Sequence, residues 1–374
     1  MKLLINTSTL KGTGCVQVAT SFIKECIKFP ENEYYIFLSR NVKKNIDVRN
    51  FPKNFIFYEF DIHSYYSLRE FPQVLKMKRL EKQISPDSCF TVFGPAMWTP
   101  SSPHLQGYAY PHYVYKDSPI FSLLSVKERL IIKCRELAHM FFLKREGAYF
   151  VCETDDVKNR LQSIYCIPKE NVYRVYNTVN NDFIEYKNKS SRFDDGVFRL
   201  YSLCSPYRHK NLQILNKVIP LLKKSGHKIL FYVTFKQSDY DRIFIDDVKD
   251  YIIRVDPLDI SECPPFVDGC DALFLPTLLE CFSASYPEAM YMGKPILTSD
   301  LPFARTVCGD AAIYFNPLSA EDIVAKIENL LSSKTCYEDL KNRGFIRLKE
   351  FCGAEERALQ YLNICKRISN NNEQ

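Results

Sequence analysis

Short apolar runs rich in β-branched and aromatic residues alternate along the chain with segments whose apolar positions recur at helical spacing. The runs read as buried parallel strands and the periodic segments as crossover helices. The pattern therefore predicts an α/β protein of parallel βαβ units with helices on both sheet faces. In the first half, strands are predicted over residues 2–6, 34–39, 55–60, 89–94, 148–153 and 172–176. The set Val16, Ala19, Phe22, Ile23, Cys26 and Ile27 marks a helix after the first strand. Residues 118–145 read as one or two helices carrying Lys127, Arg129, Lys133, Arg135, Lys144 and Arg145 beside Phe121, Leu124, Phe141 and Phe142. A polar joint at 185–196 precedes a second α/β series. Its strands are predicted over 198–204, 228–235, 251–255, 272–276, 295–299 and 311–315, and its helices over 211–224 and 321–331. Ser319 with Asp322 makes a capping-box-like start for the last of these.

With 374 residues, 46% of them hydrophobic, the chain has material for two ordinary cores, and disorder is excluded. Lys and Arg outnumber Asp and Glu by 50 to 44, a net charge of +6 that is too mild to imply a nucleic-acid partner. Fourteen cysteines are scattered singly with no C-x-x-C, which suits reduced, small hydrophobic residues in a cytoplasm. The start of the chain lacks a signal-peptide apolar region of roughly 7–15 residues. No stretch elsewhere approaches the roughly 18 apolar residues of a membrane span. A cytoplasmic location is expected.

Candidate chemistry concentrates in the second half. The buried strand at 272–276 runs through a short polar loop into a helix, and in open α/β sheets ligands bind beyond such strand ends, where helix amides are unpaired. A diphosphate would fit the amides of Phe282, Ser283, Ala284 and Ser285. Glu280 and Glu288 flank that loop, placed to accept hydrogen bonds from sugar hydroxyls. Glu288 also completes a capping box with Ser285, which is an equally physical reason for its presence. Ser205, Arg208 and Lys210 follow the strand at 198–204, and cations at a helix start sit against the dipole unless an anion is bound there. In the first half, Gly12, Thr13 and Gly14 precede a helix and allow close backbone approach, and His112 follows a strand. The acidic pairs Asp194–Asp195 and Asp246–Asp247 lack companions for a metal, so no metal site is expected.

Glu280 and Glu288, separated by seven residues and followed by Ala289 and Met290, resemble the signature of the retaining glycosyltransferases of family 4, which have the GT-B fold. Residues 205–211 resemble that family's phosphate-binding segment, Gly12 to Gly14 its first glycine loop, 300–304 and 309–317 its closing segment, and 171–177 the strand that ends its first domain. Ser205 stands where the family often has Arg, and Tyr113 where an Asp often follows the His. The resemblance implies two Rossmann-like domains facing a cleft. The first, 1–185, would bind the acceptor and the second, 196–353, the nucleotide-sugar, with a helix at 354–374 crossing back to the first. It implies Glu280 at the donor sugar, Glu288 at the ribose, Lys210 at the diphosphate and His112 approaching the sugar, with no bound metal.

The function expected on this footing is transfer of a hexose-type sugar from a UDP- or GDP-type donor to a hydroxyl of a growing glycan or lipid-linked saccharide, with retention of configuration. Base recognition is expected near Arg254 and Val255. The basic and aromatic segments 76–79 and 121–145 suggest peripheral contact with an anionic membrane. Two rivals remain: a nucleotide-sugar epimerase of the same shape, and a noncatalytic nucleotide-sugar-binding subunit.

Overall fold

The structure, a computed structural model, describes residues 1–60, 62, 67–147, 149–187 and 195–371. Ala148 of the first-half strand, Asp194 and most of the joint at 185–196 lie outside the described residues. The chain divides into two compact units: Met1–Val114 with Leu124–Asn177 and Cys352–Gln374, and Tyr115–Leu123 with Thr178–Phe351.

The first unit holds seven parallel strands: β1 (Lys2–Asn6), β2 (Glu33–Leu38), β3 (Phe55–Glu59), β4 (Ser88–Thr91), β5 (His104–Gly107), β6 (Tyr149–Cys152) and β7 (Val172–Arg174). They lie in the order β3-β2-β1-β4-β5-β6-β7. In β1 successive side chains alternate between faces. Leu3 and Ile5 join the core formed with the helix Thr13–Glu25 and the C-terminal helix Ala354–Asn370. Leu4 joins Phe37, Met77 and Cys89 on the other side, beneath the helix Phe71–Ile84. Both faces are covered, which is why the strand's middle, Leu3 to Ile5, is apolar at every position.

β5 escapes the sequence pattern because His104 and Gln106 are polar. Each is buried with a partner from outside the strand. His104 pairs through Nδ1 with the carbonyl of Glu146 at 2.6 Å and through Nε2 with Thr91 Oγ1 at 2.8 Å, and Gln106 donates to the carbonyl of Leu143 at 3.0 Å. The C-terminal helix closes the first unit's core. Tyr361 packs edge-on to Phe22 at 5.3 Å and against Phe90 at 5.0 Å, while buried Arg357 donates to Asn177 and, at 2.8 Å, to Ser21.

The second unit holds β8 (Phe198–Ser202), β9 (Ile229–Thr234), β10 (Ile252–Val255), β11 (Ala272–Leu275), β12 (Ile296–Ser299) and β13 (Ala312–Phe315), all parallel, in the order β10-β9-β8-β11-β12-β13. Two parallel-sheet, Rossmann-like halves are thus present, as the alternating pattern predicts. The chain passes into this unit after Asn177, ahead of the polar joint, because the short helix Asn181–Glu185 packs on the helices Cys263–Asp268 and Ser285–Tyr291. Ser319 caps the helix Ala320–Ser332 by accepting from the amide of Asp322 at 3.2 Å, while the Asp322 carboxylate turns to the amide of Asn316.

Tyr361→Ala is expected to cost about 3–5 kcal/mol, the usual price of emptying a large aromatic site in a core. Tyr361→Phe should cost far less, and denaturant unfolding followed on the first unit's signals checks both.

Candidate functional site

In the second sheet β8 and β11 are neighbours, while the chain leaves β8 towards β9 on one side and β11 towards β12 on the other. Connections diverge at this pair, so a crevice opens beyond its carboxyl ends. The two loops that follow these strands carry most of the residues singled out from the sequence.

Beyond β8 the chain forms a single 3-10 turn, Arg208–Lys210, and then Asn211 at φ 57°, a left-handed conformation that Asn tolerates. Asn211 donates to the carbonyl of Pro317 at 2.8 Å and so fixes the turn. The carbonyl of His209 accepts both the amide of Leu278 at 2.7 Å and the hydroxyl of Thr277 at 3.2 Å, which stitches the turn to the loop after β11. Across this seam Lys210 and Glu280 form an ion pair, with 13% of each side chain exposed. Burial pulls the Lys210 pKa down, but the Glu280 carboxylate beside it outweighs this and leaves it raised, so Lys210 is a fixed cation at neutral pH. Arg208 donates to the carbonyl of Leu123, and the carbonyl of Ser205 accepts the amide of Tyr207 at 2.8 Å.

The capping box proposed for Ser285 and Glu288 does not form. The helix Ser285–Tyr291 begins one residue earlier than that box requires, with Ala284 as its cap and already in helical conformation. The Ser285 hydroxyl donates to the carbonyl of Leu203 at 3.2 Å, and the Glu288 amide bonds to the carbonyl of Ala284 at 3.1 Å. The Glu288 carboxyl is left buried, 7% exposed, with no hydrogen-bond partner among the described residues. Burial pushes its pKa up to about 8. An unpartnered buried carboxyl is costly, and a ligand that donates to it is the natural compensation. The amides of Phe282, Ser283, Ala284 and Ser285 likewise make no hydrogen bond among the described residues.

A cavity of about 360 Å³ adjoins the turn, lined by Tyr207, Arg208, Lys210, Gln213, Phe235 and Arg242 among others. Three cations therefore face one space, and the Tyr207 ring, 58% exposed, offers a flat platform beside it. Arg254 does not line this cavity. Its guanidinium donates to Asp256 at 2.5 Å and to the carbonyl of Phe235, a lining residue, at 3.1 Å. Sequence reasoning missed Arg242, Tyr207 and Gln213, because only the fold brings the helix Gln237–Ile243 beside the turn after β8. It also missed Ser118. Within the second unit the buried Ser118 hydroxyl donates to the carbonyl of Leu278 at 2.6 Å and accepts the amide of Ile120 at 3.2 Å, which braces the loop that ends in Glu280.

The remaining candidates lie in the first unit. Gly12 caps the helix Thr13–Glu25 with ordinary φ, and a Cβ there would meet Cys15 Sγ at 3.5 Å, whereas a Cβ on Gly14 would meet nothing within 4 Å, so the space over Gly14 is open. These residues follow β1, at that sheet's own β1–β4 divergence. His112 sits half-buried on the short helix Pro111–Val114, and burial lowers its pKa, which makes it neutral at pH 7. Among the described residues no three His, Cys, Asp or Glu side chains converge as a metal site, and all fourteen cysteines are free thiols.

Residues 199–333, the span holding Arg208, Lys210, Glu280 and Glu288, match the family Glycosyl transferases group 1. The O-antigen chain mannosyltransferase RfbU of Salmonella typhimurium is 25% identical over 180 residues, 46% of this chain and 48% of that protein. The match thus spans about half the length of that curated relative. Among solved structures, WaaG, a glycosyltransferase involved in lipopolysaccharide biosynthesis, superposes with a TM-score of 0.72 at 13% identity, covering 98% of this chain and 99% of that one. Anabaena Alr3699/HepE in complex with UDP and glucose superposes with a TM-score of 0.70 at 14% identity, covering 98% of this chain and all of that one. The fold is GT-B.

Ser118→Ala should loosen the Glu280 loop by about 1 kcal/mol, the net worth of one buried hydrogen bond. Hydrogen exchange at the amides of Leu278 and Glu280 is expected to speed up, with the β8 and β11 cores unchanged.

Proposed function

We propose that the chain is a glycosyltransferase that moves a hexose-type sugar from a nucleoside diphosphate donor of the UDP or GDP type to a hydroxyl of a growing glycan or lipid-linked saccharide, with retention of configuration. The observation that carries this reading is the convergence, at the β8–β11 divergence, of the Lys210–Glu280 pair with four unpartnered amides and the buried, unpartnered carboxyl of Glu288.

In the proposed reaction the diphosphate takes the place that Glu280 holds at Lys210. Lys210, Arg208 and the amides of Phe282 to Ser285 then stabilise the charge that develops on the leaving phosphate oxygen. These side-chain cations play the part that a divalent ion takes in other transferases, and activity insensitive to chelators is expected. Release from Lys210 frees the Glu280 carboxylate to position the sugar and to stabilise positive charge at the anomeric carbon. The leaving oxygen accepts the acceptor's proton on the face it departs from, which is the retaining outcome that the family resemblance suggests. Glu288 accepts from the ribose hydroxyls, and the Tyr207 ring gives the base a surface to stack on. His112, neutral at pH 7, is the first unit's candidate for contact with the sugar.

Thermal shift with UDP, GDP and ADP, followed by turnover of the sugar conjugates of whichever stabilises the protein, tests this reading. A ligand at a hundredfold excess over its Kd adds about 2.7 kcal/mol. That gain should disappear in Lys210→Ala and fall in Glu288→Ala. Stabilisation by none of these nucleotides would sink the donor site. Epimerised donor without an acceptor would establish the isomerase instead, and tight binding without turnover across acceptors the noncatalytic subunit.

Glu288 also predicts a pH dependence. Between pH 4.5 and about 8 the folded state holds a proton that the unfolded chain has lost, so stability falls as pH rises through this window, and Glu288→Gln should flatten the slope. Ribose hydroxyls stabilise the carboxylate and lower its pKa, so nucleotide binding should release a proton and tighten with pH up to about 8. Calorimetry in buffers of different ionisation heat reads that proton directly, and the Gln variant should release less.

A further inference from the structure

We propose that the outer face of the helix Val126–Glu146, in the first unit, is a docking surface for an anionic lipid bilayer. This helix inverts the usual arrangement. Its buried residues are Glu136, His139, Met140, Leu143 and Glu146, three of them titratable. Each of those three is held by a partner. Glu136 accepts from the Tyr165 hydroxyl at 2.7 Å, His139 bonds the Tyr113 hydroxyl at 2.8 Å, and Glu146 accepts the amide of Ala96 at 2.8 Å. These bonds fix which side faces in.

The outward side carries the apolar residues: Val126 is 74% exposed, Leu130 61%, Leu137 61% and Phe141 62%. At 3.6 residues per turn these four fall within an arc of about 60°, a straight stripe along a helix about 31 Å long. Ile131 lies at its margin, also exposed. Exposed cations lie within or beside the stripe at Lys127, Lys133, Lys144 and Arg145, with Arg129 one step further round and Arg135 on the far flank of the helix. Lys133 and Arg145 pair with the buried carboxylates of Glu136 and Glu146, which leaves Lys127, Arg129, Arg135 and Lys144 without a carboxylate partner among the described residues. The other acid of the helix, Glu128, is engaged in the capping box with Ser125 at its start. No carboxylate shares the stripe.

A second strip of the same character lies on the same sheet face. The crossovers from β3 to β4 and from β5 to β6 run in one direction along the sheet, so right-handed connections place their helices on one side. There Leu68 is 91% and Phe71 59% exposed, next to exposed Lys76, Lys78 and Arg79.

Charge and polarity select the occupant. A second copy of the chain would bring the cations Lys127, Arg129 and Lys144, which have no carboxylate partner among the described residues, against their own equivalents. Nucleic acid would meet an apolar stripe where it needs polar partners. A bilayer with acidic headgroups satisfies both components, the stripe among acyl chains and the cations among phosphates. No described helix is long and apolar enough to cross a membrane, so the contact is peripheral. The surface goes beyond the transfer reaction and stands without it, although a lipid-linked acceptor would be met at such a surface.

The test is flotation of the full chain with phosphatidylcholine vesicles, with and without phosphatidylglycerol, at low and physiological salt. Retention is expected to be at least about tenfold greater on the anionic vesicles. Lys127→Glu with Lys144→Glu should abolish that preference, and Leu137→Ser with Phe141→Ser should abolish the binding that survives added salt. Far-ultraviolet circular dichroism and melting temperature check that each variant is folded. Because Trp98, the chain's one tryptophan, is buried, Phe141→Trp supplies a second reading: its emission should shift to the blue on anionic vesicles and be quenched by brominated lipid. Equal retention on both vesicle types, variants that bind like wild type, or a lipid-free oligomer dissolved by the same substitutions would overturn the proposal. None of these outcomes depends on whether UDP binds, so failure here and failure of the donor site are told apart.

Discussion

Parallel pairing of β8 with β11 is the constraint on which the candidate site rests. Every strand of the second sheet points the same way, so every loop that follows a strand emerges at one edge. The order of the strands then decides which loops meet. Lys210 and Glu280, 70 residues apart, become partners because their strands are neighbours with connections that diverge. The His209 carbonyl, bonded to Leu278 and Thr277, fixes their register, and Ser118 braces the same loop from a distant part of the chain. Changing the strand order would leave every one of these residues in place in the sequence and dissolve the site.

The electrostatics of the site depend on how each charge is compensated. Lys210 stays cationic because Glu280 offsets the cost of burying it. Glu288 has no such neighbour, and its carboxyl is neutral over much of the physiological range. Two carboxyl groups eight positions apart thus have opposite character, one committed to an ion pair and one awaiting hydrogen-bond donors. A diphosphate and a ribose would change both states together, which couples donor binding to proton release.

The first unit shows the same economy of partners in its core and the reverse on its surface. His104, Gln106, Glu136, His139 and Glu146 are all buried, and each is bonded to a group from another element. The helix Val126–Glu146 buries three polar side chains beside Met140 and Leu143, while Val126, Leu130, Leu137 and Phe141 lie on its exposed side.

Much of this was legible from residue order. Runs such as Leu3 to Ile5, short and apolar at every position, read as strands covered on both faces. The two-domain α/β architecture and twelve of the thirteen strands among the described residues follow from that pattern. The loops bearing Lys210, Glu280 and Glu288 are legible too, since a buried strand followed by a polar loop and a helix is a local signal. What residue order did not carry is whatever depends on a partner distant along the chain. β5 was hidden because His104 and Gln106 are polar, and only Thr91, Leu143 and Glu146 make their burial possible. Ser285 and Glu288 satisfy the spacing of a capping box, yet the carbonyl of Leu203 draws the serine away and leaves the glutamate unpartnered. Arg242 and Ser118 reach the site from segments with no local mark of function. Periodicity reports which side of an element is buried, whereas the identity of the atom across a contact is set by the fold.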